Sequence, residues 1–162
     1  MLTETSKLEA LLTVRRNALQ QYTEEHNTIL LFCWKIRQGL FQGTEPDLMV
    51  KYTQAFYRQF LFHHIEREEK YIFSKLPTYD PEILKLKKDH VMIERIIINI
   101  GTVSDTIRQL RLLASELRRH VLIEERFFFE RLEENLPEHI LLSMMPPEGK
   151  TDEDIKWDDP FW

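Results

Sequence analysis

The chain has one cysteine, Cys33, so no disulfide can close within it. Such cysteine usage points to a reducing cytoplasm. Glycine is scarce, occurring only at Gly39, Gly43, Gly101 and Gly149. The seven prolines all fall outside 6–38, 47–76, 82–100 and 105–135. Long hydrophobic runs are absent as well. The longest, Ile29 to Trp34, is far short of the ~20 residues that span a bilayer, so no membrane partner is expected. The opening segment MLTETSKLEA lacks the basic start and apolar stretch of a secretory signal. There is no excess of positive charge. The net charge of −5 argues against nucleic acid as a partner. There is no phosphate loop, GxSxG or CxxC, so no substrate is named.

What remains is helix-forming sequence. The breaker-free stretches are rich in Leu, Glu, Lys, Arg and Gln, which predicts four long helices. The first runs from about Ser6, a suitable N-cap, to Gln38 and stops at the segment QGLFQGTEP. A break near Gln21–Thr23 is compatible with it. The second spans Asp47 to Lys75. The third starts near Pro81, where proline suits a first turn, and ends near Gly101. The fourth spans Asp105 to Glu134. A short helix follows Pro137. The tail from Pro146 to Trp162 reads as extended. At 162 residues one domain is expected: a bundle over 1–145 and an acidic, aromatic tail over 146–162. Short connections between long helices favour an antiparallel up-down four-helix bundle, an all-α fold.

Each helix carries an apolar stripe at spacings of three and four, and each stripe is interrupted by a polar residue. The first reads Tyr22, His26, Ile29, Leu30, Cys33, Leu40. The second reads Tyr57, Phe60, His64, Glu68, Tyr71, Ile72. The third reads Ile83, Leu86, His90, Glu94, Ile97. The fourth reads Leu110, Leu113, Leu117, His120, Glu124, Phe127, Phe128. A buried carboxylate is costly unless it is neutralised, paired or given to a metal. No lysine or arginine lies on these stripes at that level.

Counting from turns centred near Thr44, Thr78 and Val103, the histidines lie 18 and 20, 14 and 12, then 13 and 17 residues away. These mismatches amount to ~3–6 Å at 1.5 Å per residue, so the four histidines share one layer. Residues four apart lie on one helical face, which brings Glu68 to His64, Glu94 to His90 and Glu124 to His120. Imidazole with carboxylate suits iron, manganese or zinc, and the lack of thiolate argues against an iron–sulfur cluster. Seven candidate ligands exceed a tetrahedral zinc site. Two ions bridged by carboxylates fit the count better.

The segments EEHNTILLFCWKIRQGL, HIEREEKYIF, KKDHVMIERI and RRHVLIEERFFF resemble the successive motifs of the hemerythrin-like (HHE cation-binding) family. The pattern is a lone His, then HxxxE, then a lone His, then HxxxE. The resemblance covers about Gln21 to Leu136. It implies a non-haem di-iron site, with His26 and His64 serving one iron, His90 and His120 the other, and Glu68 and Glu124 as bridges. One departure matters. Oxygen-carrying hemerythrins have a fifth histidine where this chain has Glu94, which puts reversible oxygen carriage in doubt. Glu94 then stands as a further candidate ligand. The last motif is also one residue shorter than in those carriers, a spacing that many HHE proteins share.

Three functions follow. The first is a di-iron protein that binds or senses O2, NO or peroxide, or handles iron. The second is a di-iron oxidase or peroxidase, suggested by the more carboxylate-rich ligand set. The third is a metal-free helical interaction module. Whether the chain is an enzyme stays open. Other polar residues read more plainly. His63 and His139 fall outside the layer. Glu69 and Glu125 read as solvated, while Glu25 and Asp89, just before His26 and His90, stand where histidine-supporting acids would sit. Cys33 reads as a small core residue. Phe60, Phe73, Phe127, Phe128 and Phe129 read as core. The WDDPFW ending either docks its aromatics onto the bundle or meets a homodimer mate or another protein.

Overall fold

Two aspartates set where helices begin. The Asp80 carboxylate accepts from the backbone N–H groups of Glu82 and Ile83 at 3.0 and 3.3 Å. Asp105 accepts from that of Arg108 at 3.0 Å. Both satisfy donors that a first helical turn leaves unpaired. The computed structural model describes residues 18–102, 104–147 and 155–162. The proposed cap at Ser6, the first part of the first predicted helix, Val103 and most of 146–154 lie outside those residues. Helix α1 is Gln20–Gln42. The second rod is α2 (Pro46–Phe56) and α3 (Phe62–Arg67), joined by a π turn at Tyr57–Leu61 and continued by a second π turn at Glu68–Ile72 and a 3₁₀ turn at Phe73–Lys75. Helix α4 is Pro81–Asn99. The fourth rod is α5 (Thr106–Ile123), a π turn at Glu124–Phe128, and α6 (Phe129–Asn135). A short α7 (Glu138–Ser143) follows Pro137. The chain is all-α, with no strand among the described residues.

Helix α1 does not stop at Gln38. It runs through Gly39 to Gln42 and is closed by Gly43, whose φ of 72° is the left-handed conformation that glycine adopts without a Cβ penalty. Gly39 is a packing position instead. A Cβ there would sit 2.7 Å from the Phe161 ring.

The π turns correct two stripes. Each adds a residue to the helical repeat, so the buried face moves one position along the chain beyond it. In the fourth rod Phe127 is 63% exposed, while Phe128 and Phe129 are fully buried. In the second, Ile72 and Phe73 are buried and Tyr71 is only half-buried.

Two apolar clusters result. One gathers Ile29, Phe32, Cys33, Ile36, Tyr52, Phe56, Ile93, Ile97, Leu113 and Leu117. Trp157, Phe161 and Trp162 of the tail close it, with ring centroids 5.2–5.5 Å from Tyr52. The Lys35 ammonium lies 3.8 Å from the Trp162 ring centre. The other cluster gathers Leu19, Tyr22, Ile72, Phe73, Ile83, Leu86, Phe128, Phe129 and Leu132 with Leu141 and Met144. The Tyr22 hydroxyl donates to the Met144 carbonyl at 2.8 Å, which ties α1 to the chain just after α7. Among the described residues no helix is long and apolar enough to cross a membrane.

Candidate metal centre

Four histidines, one from each rod, meet in the interior. His26 lies on α1, His64 on α3, His90 on α4 and His120 on α5, and none is more than 3% exposed. Glu68 and Glu124 are both fully buried and each is the first residue of a π turn. Their potential ligand atoms form two groups, His26–His64–Glu68–Glu124 and Glu68–His90–His120–Glu124, with every atom in a group within 4.8 Å of the others. Glu68 and Glu124 belong to both.

The two carboxylates divide their oxygens between the groups. Glu68 Oε1 lies 3.1 Å from His26 Nε2 and 3.1 Å from His64 Nε2, and its Oε2 lies 3.3 Å from His90 Nε2. Glu124 Oε2 lies 3.1 Å from His26 Nε2, and its Oε1 lies 3.3 Å from His120 Nε2. A carboxylate placed this way can bridge two cations.

Behind the imidazoles runs a ring of four more acids. Glu25 Oε2 is 2.6 Å from His64 Nδ1. Glu69 Oε1 is 2.9 Å from His90 Nδ1. Asp89 Oδ2 is 3.4 Å from His120 Nδ1. Glu125 Oε1 is 2.6 Å from His26 Nδ1 and accepts from the Thr23 hydroxyl at 2.8 Å. Each acid supports the histidine of another rod, and the sequence of rods closes on itself. An ionised carboxylate can only accept, so each Nδ1 carries the donated proton and each Nε2 turns its other face to the centre. Arg67 and Arg119 pair with the outer acids, at 2.8 Å to Glu25 and 3.0 Å to Asp89. The ion-pair neighbours of Glu68 and Glu124 are imidazoles.

That arrangement demands positive charge at its centre. His90 Nε2 and His120 Nε2 face each other at 3.0 Å. With both Nδ1 atoms protonated, two lone pairs would confront one another. His64 Nε2, Glu68 Oε2 and both oxygens of Glu124 are buried without a well-aligned hydrogen bond, although imidazole or carboxylate atoms lie 3.1–3.3 Å away, and poorly satisfied buried polar groups are costly. The electrostatics agree. Burial pushes the His26 imidazole down, but Glu124, Glu125 and Glu68 reverse this and hold it well above its ordinary range. His120 is likewise raised to about 9 by Glu124 and Asp89 against its burial. Burial raises Glu68, yet His64, His26 and His90 hold it well below the usual carboxylate range. Protons or metal cations can supply the missing charge. The donor set of imidazole nitrogen and carboxylate oxygen fits iron, manganese or zinc.

The outer ring is where sequence reasoning fell short. Glu69 and Glu125 are not simply solvated. Glu125 is 5% exposed, and Glu69 is partly buried against His90. Glu25 and Asp89 do support histidines, but on the following rod rather than beside them in the chain. The available signal was the pairing of residues: HxxxEE on the second and fourth rods, and Glu-His and Asp-His on the first and third. Glu94 lies in neither ligand group. It is half-buried, and its carboxylate accepts from the Tyr57 hydroxyl at 2.7 Å. His63 is exposed and pairs with Glu66, and His139 is exposed beyond Pro137. Cys33 is buried, and burial pushes its thiol up to about 12, which suits a core residue and not a reactive one.

Comparison with known proteins found no matching family model, no matching curated protein and no matching solved structure.

Proposed function

We propose that this chain is a non-haem di-iron protein of the hemerythrin-like kind, built as an antiparallel up-down four-helix bundle over 1–145 with a tail over 146–162. The observation that carries this is the division of Glu68 and Glu124 between two groups of imidazoles, each imidazole held at Nδ1 by an acid from another rod. His26 and His64 would hold one ion, His90 and His120 the other, and Glu68 and Glu124 would bridge them. Such second-layer carboxylates fix the tautomer and raise the basicity of ligating imidazoles. Four protein donors per ion leave coordination positions for a small ligand on a metal that takes more than four. Iron bound there would supply reversible binding of, or electron transfer with, O2, NO or peroxide. Binding, sensing or iron handling in the cytoplasm is the function this supports. The protein's own contribution is a dry, rigid enclosure. Phe129 and Phe73 lie parallel to His26 and His90 at 5.5 and 5.6 Å and keep water from the imidazole faces.

The test is metal content by mass spectrometry on protein from iron-supplemented cells, with visible spectra before and after reduction. About two irons per chain, with near-ultraviolet bands that bleach on reduction, is the expected result. Absence of metal after anaerobic reconstitution with Fe(II) would overturn it.

One observation favours an oxidase or peroxidase as the second reading. Glu94 and Tyr57 form a hydrogen-bonded acid–phenol pair one helical turn from His90, a pair able to exchange protons. Steady multiple turnover of peroxide that falls in Glu94→Gln would support it.

A further inference from the structure

Helices α1 and α5 and the π turn after α5 border an open groove of about 820 Å³ whose charge differs from that of the rest of the chain. The protein carries a net charge of −5, yet Arg37, Arg111, Arg118, Arg119 and Arg126 line this groove and no acidic residue does. Arg119 has ion-pair partners in Asp89 and Glu116. The other four make no ion pair among the described residues. Gathered like charges repel one another, and a bound anion would relieve that repulsion. Guanidinium groups also match carboxylate and phosphate in bidentate geometry. Between the arginines the wall is apolar, with Leu122 and Ile123 half-buried in it. Phe41 and Phe127 stand at its edge, 88% and 63% exposed. Phe127 is there because the π turn starting at Glu124 rotates it outward. A volume of this size is that of a small-molecule site, about 300–1,000 Å³.

Arg119 joins the groove to the centre. It lines the groove and donates to Asp89 Oδ1 at 3.0 Å. The other oxygen of Asp89 is 3.4 Å from His120 Nδ1. An anion that draws Arg119 outward loosens its hold on Asp89, and so alters the acid behind a candidate ligand. We propose that the groove binds a small amphipathic anion, a carboxylate or phosphate carried on an apolar body, and that Arg119 transmits its occupancy through Asp89 to His120. The transmission rests on the metal reading above, whereas the binding does not.

Dodecyl phosphate is the probe, titrated calorimetrically below its micelle concentration into the full chain. Inorganic phosphate, dodecyltrimethylammonium and phosphatidylglycerol vesicles serve as comparators. Dodecyl phosphate should bind at least tenfold more tightly than phosphate or the cationic amphiphile. The double variant R37E/R111E, altered at two exposed positions, should weaken binding at least tenfold while keeping its helical circular dichroism. Equal binding of the cationic amphiphile, or unchanged binding in the double variant, overturns the site. Binding to vesicles without binding of the monomeric amphiphile overturns it in favour of a membrane-facing surface. For the transmission, the visible bands of the Co(II)-loaded protein should shift on saturation with dodecyl phosphate, and should stay still in R119L once the amphiphile, bound more weakly by the remaining arginines, is raised to saturation there as followed by calorimetry. Unmoved bands in the unaltered chain overturn transmission alone. Failure to take up Co(II) overturns the metal reading and leaves the calorimetric result standing.

Discussion

The apolar cluster nearest α7 touches the histidines directly, whereas the cluster nearest the tail keeps its stacked rings to itself. On the α7 side, Phe129 lies on His26 and Phe73 on His90, with interplanar angles of 16° and 14°. On the tail side, Phe32 stacks on Phe56 at 4.1 Å and on Tyr52 at 5.7 Å, and Phe56 on Phe60 at 5.5 Å. Both clusters bury comparable rings, so both contribute to stability. Among the described residues, only rings of the first stack on candidate ligands. The difference separates holding the fold from holding the site.

The strongest perturbation removes the layer between the two clusters. Glu68→Ala should cost both ions, because Glu68 belongs to both groups. Metal analysis of the reconstituted variant checks this, and retention of one full equivalent would show that Glu68 does not bridge. Chelation of the unaltered protein should lower its melting temperature. An ion held at 100 times its Kd adds about 2.7 kcal/mol.

Next comes a matched pair. Phe129→Ala and Phe56→Ala should each cost about 3–5 kcal/mol in chemical denaturation. Phe129→Ala should in addition weaken metal binding about tenfold, the scale of lost support around a ligand, while Phe56→Ala leaves affinity near its starting value. Equal affinities in the two variants would erase the comparison.

A pH series on chelated protein separates protons from metal as the source of central charge. His26, His64, His90 and His120 are raised in the folded state. Their contribution is therefore complete below the ordinary imidazole value of 6.5 and is lost as pH rises, for His120 through about 9. Glu68 and Glu124 are lowered, so their contribution is present above 4.5 and is lost as pH falls. The chelated chain should thus be most stable between pH 4.5 and 6.5. The metal-loaded chain should show the opposite trend above that window, because metal competes with protons for the imidazoles. Melting curves from pH 5 to 9 with and without metal test it.

The smallest effect belongs to the tail side. Gly39→Ala drives a Cβ to 2.7 Å from Phe161 and 2.8 Å from the Met49 sulfur. Overpacking of this kind costs about 1–3 kcal/mol. Metal content should not change. Loss of metal in that variant would mean that the tail-side cluster also positions ligands.

Apolar periodicity marks the helical stretches, though not the end of the first, and singles out the six residues that meet at the centre, because a buried polar residue within an apolar stripe is conspicuous wherever it falls. It missed whatever depended on departures from the α repeat or on reach across rods. A stripe drawn at 100° per residue puts Phe127 in the core, whereas the π turn at Glu124–Phe128 adds a residue that no residue type announces and turns it outward. Glu69 and Glu125 read as solvated on a different ground. Their place beside the central glutamates puts them off the stripe, yet that is the direction in which another rod's histidine lies. The segment QGLFQGTEP reads as a turn because it holds two glycines and a proline, yet Gly39 lies inside α1, where Phe161 and Met49 leave no room for a Cβ.

The ring of outer acids has a consequence for how the protein assembles. Since Glu25, Glu69, Asp89 and Glu125 each hold an imidazole on another rod, every rod is both a giver and a receiver of alignment. Withdrawing one leaves a histidine unsupported on one neighbour and an acid without its purpose on the other. A fragment lacking any one rod leaves at least one of these histidines without its supporting acid. The interlock thus ties completion of the histidine–glutamate layer to completion of the fold.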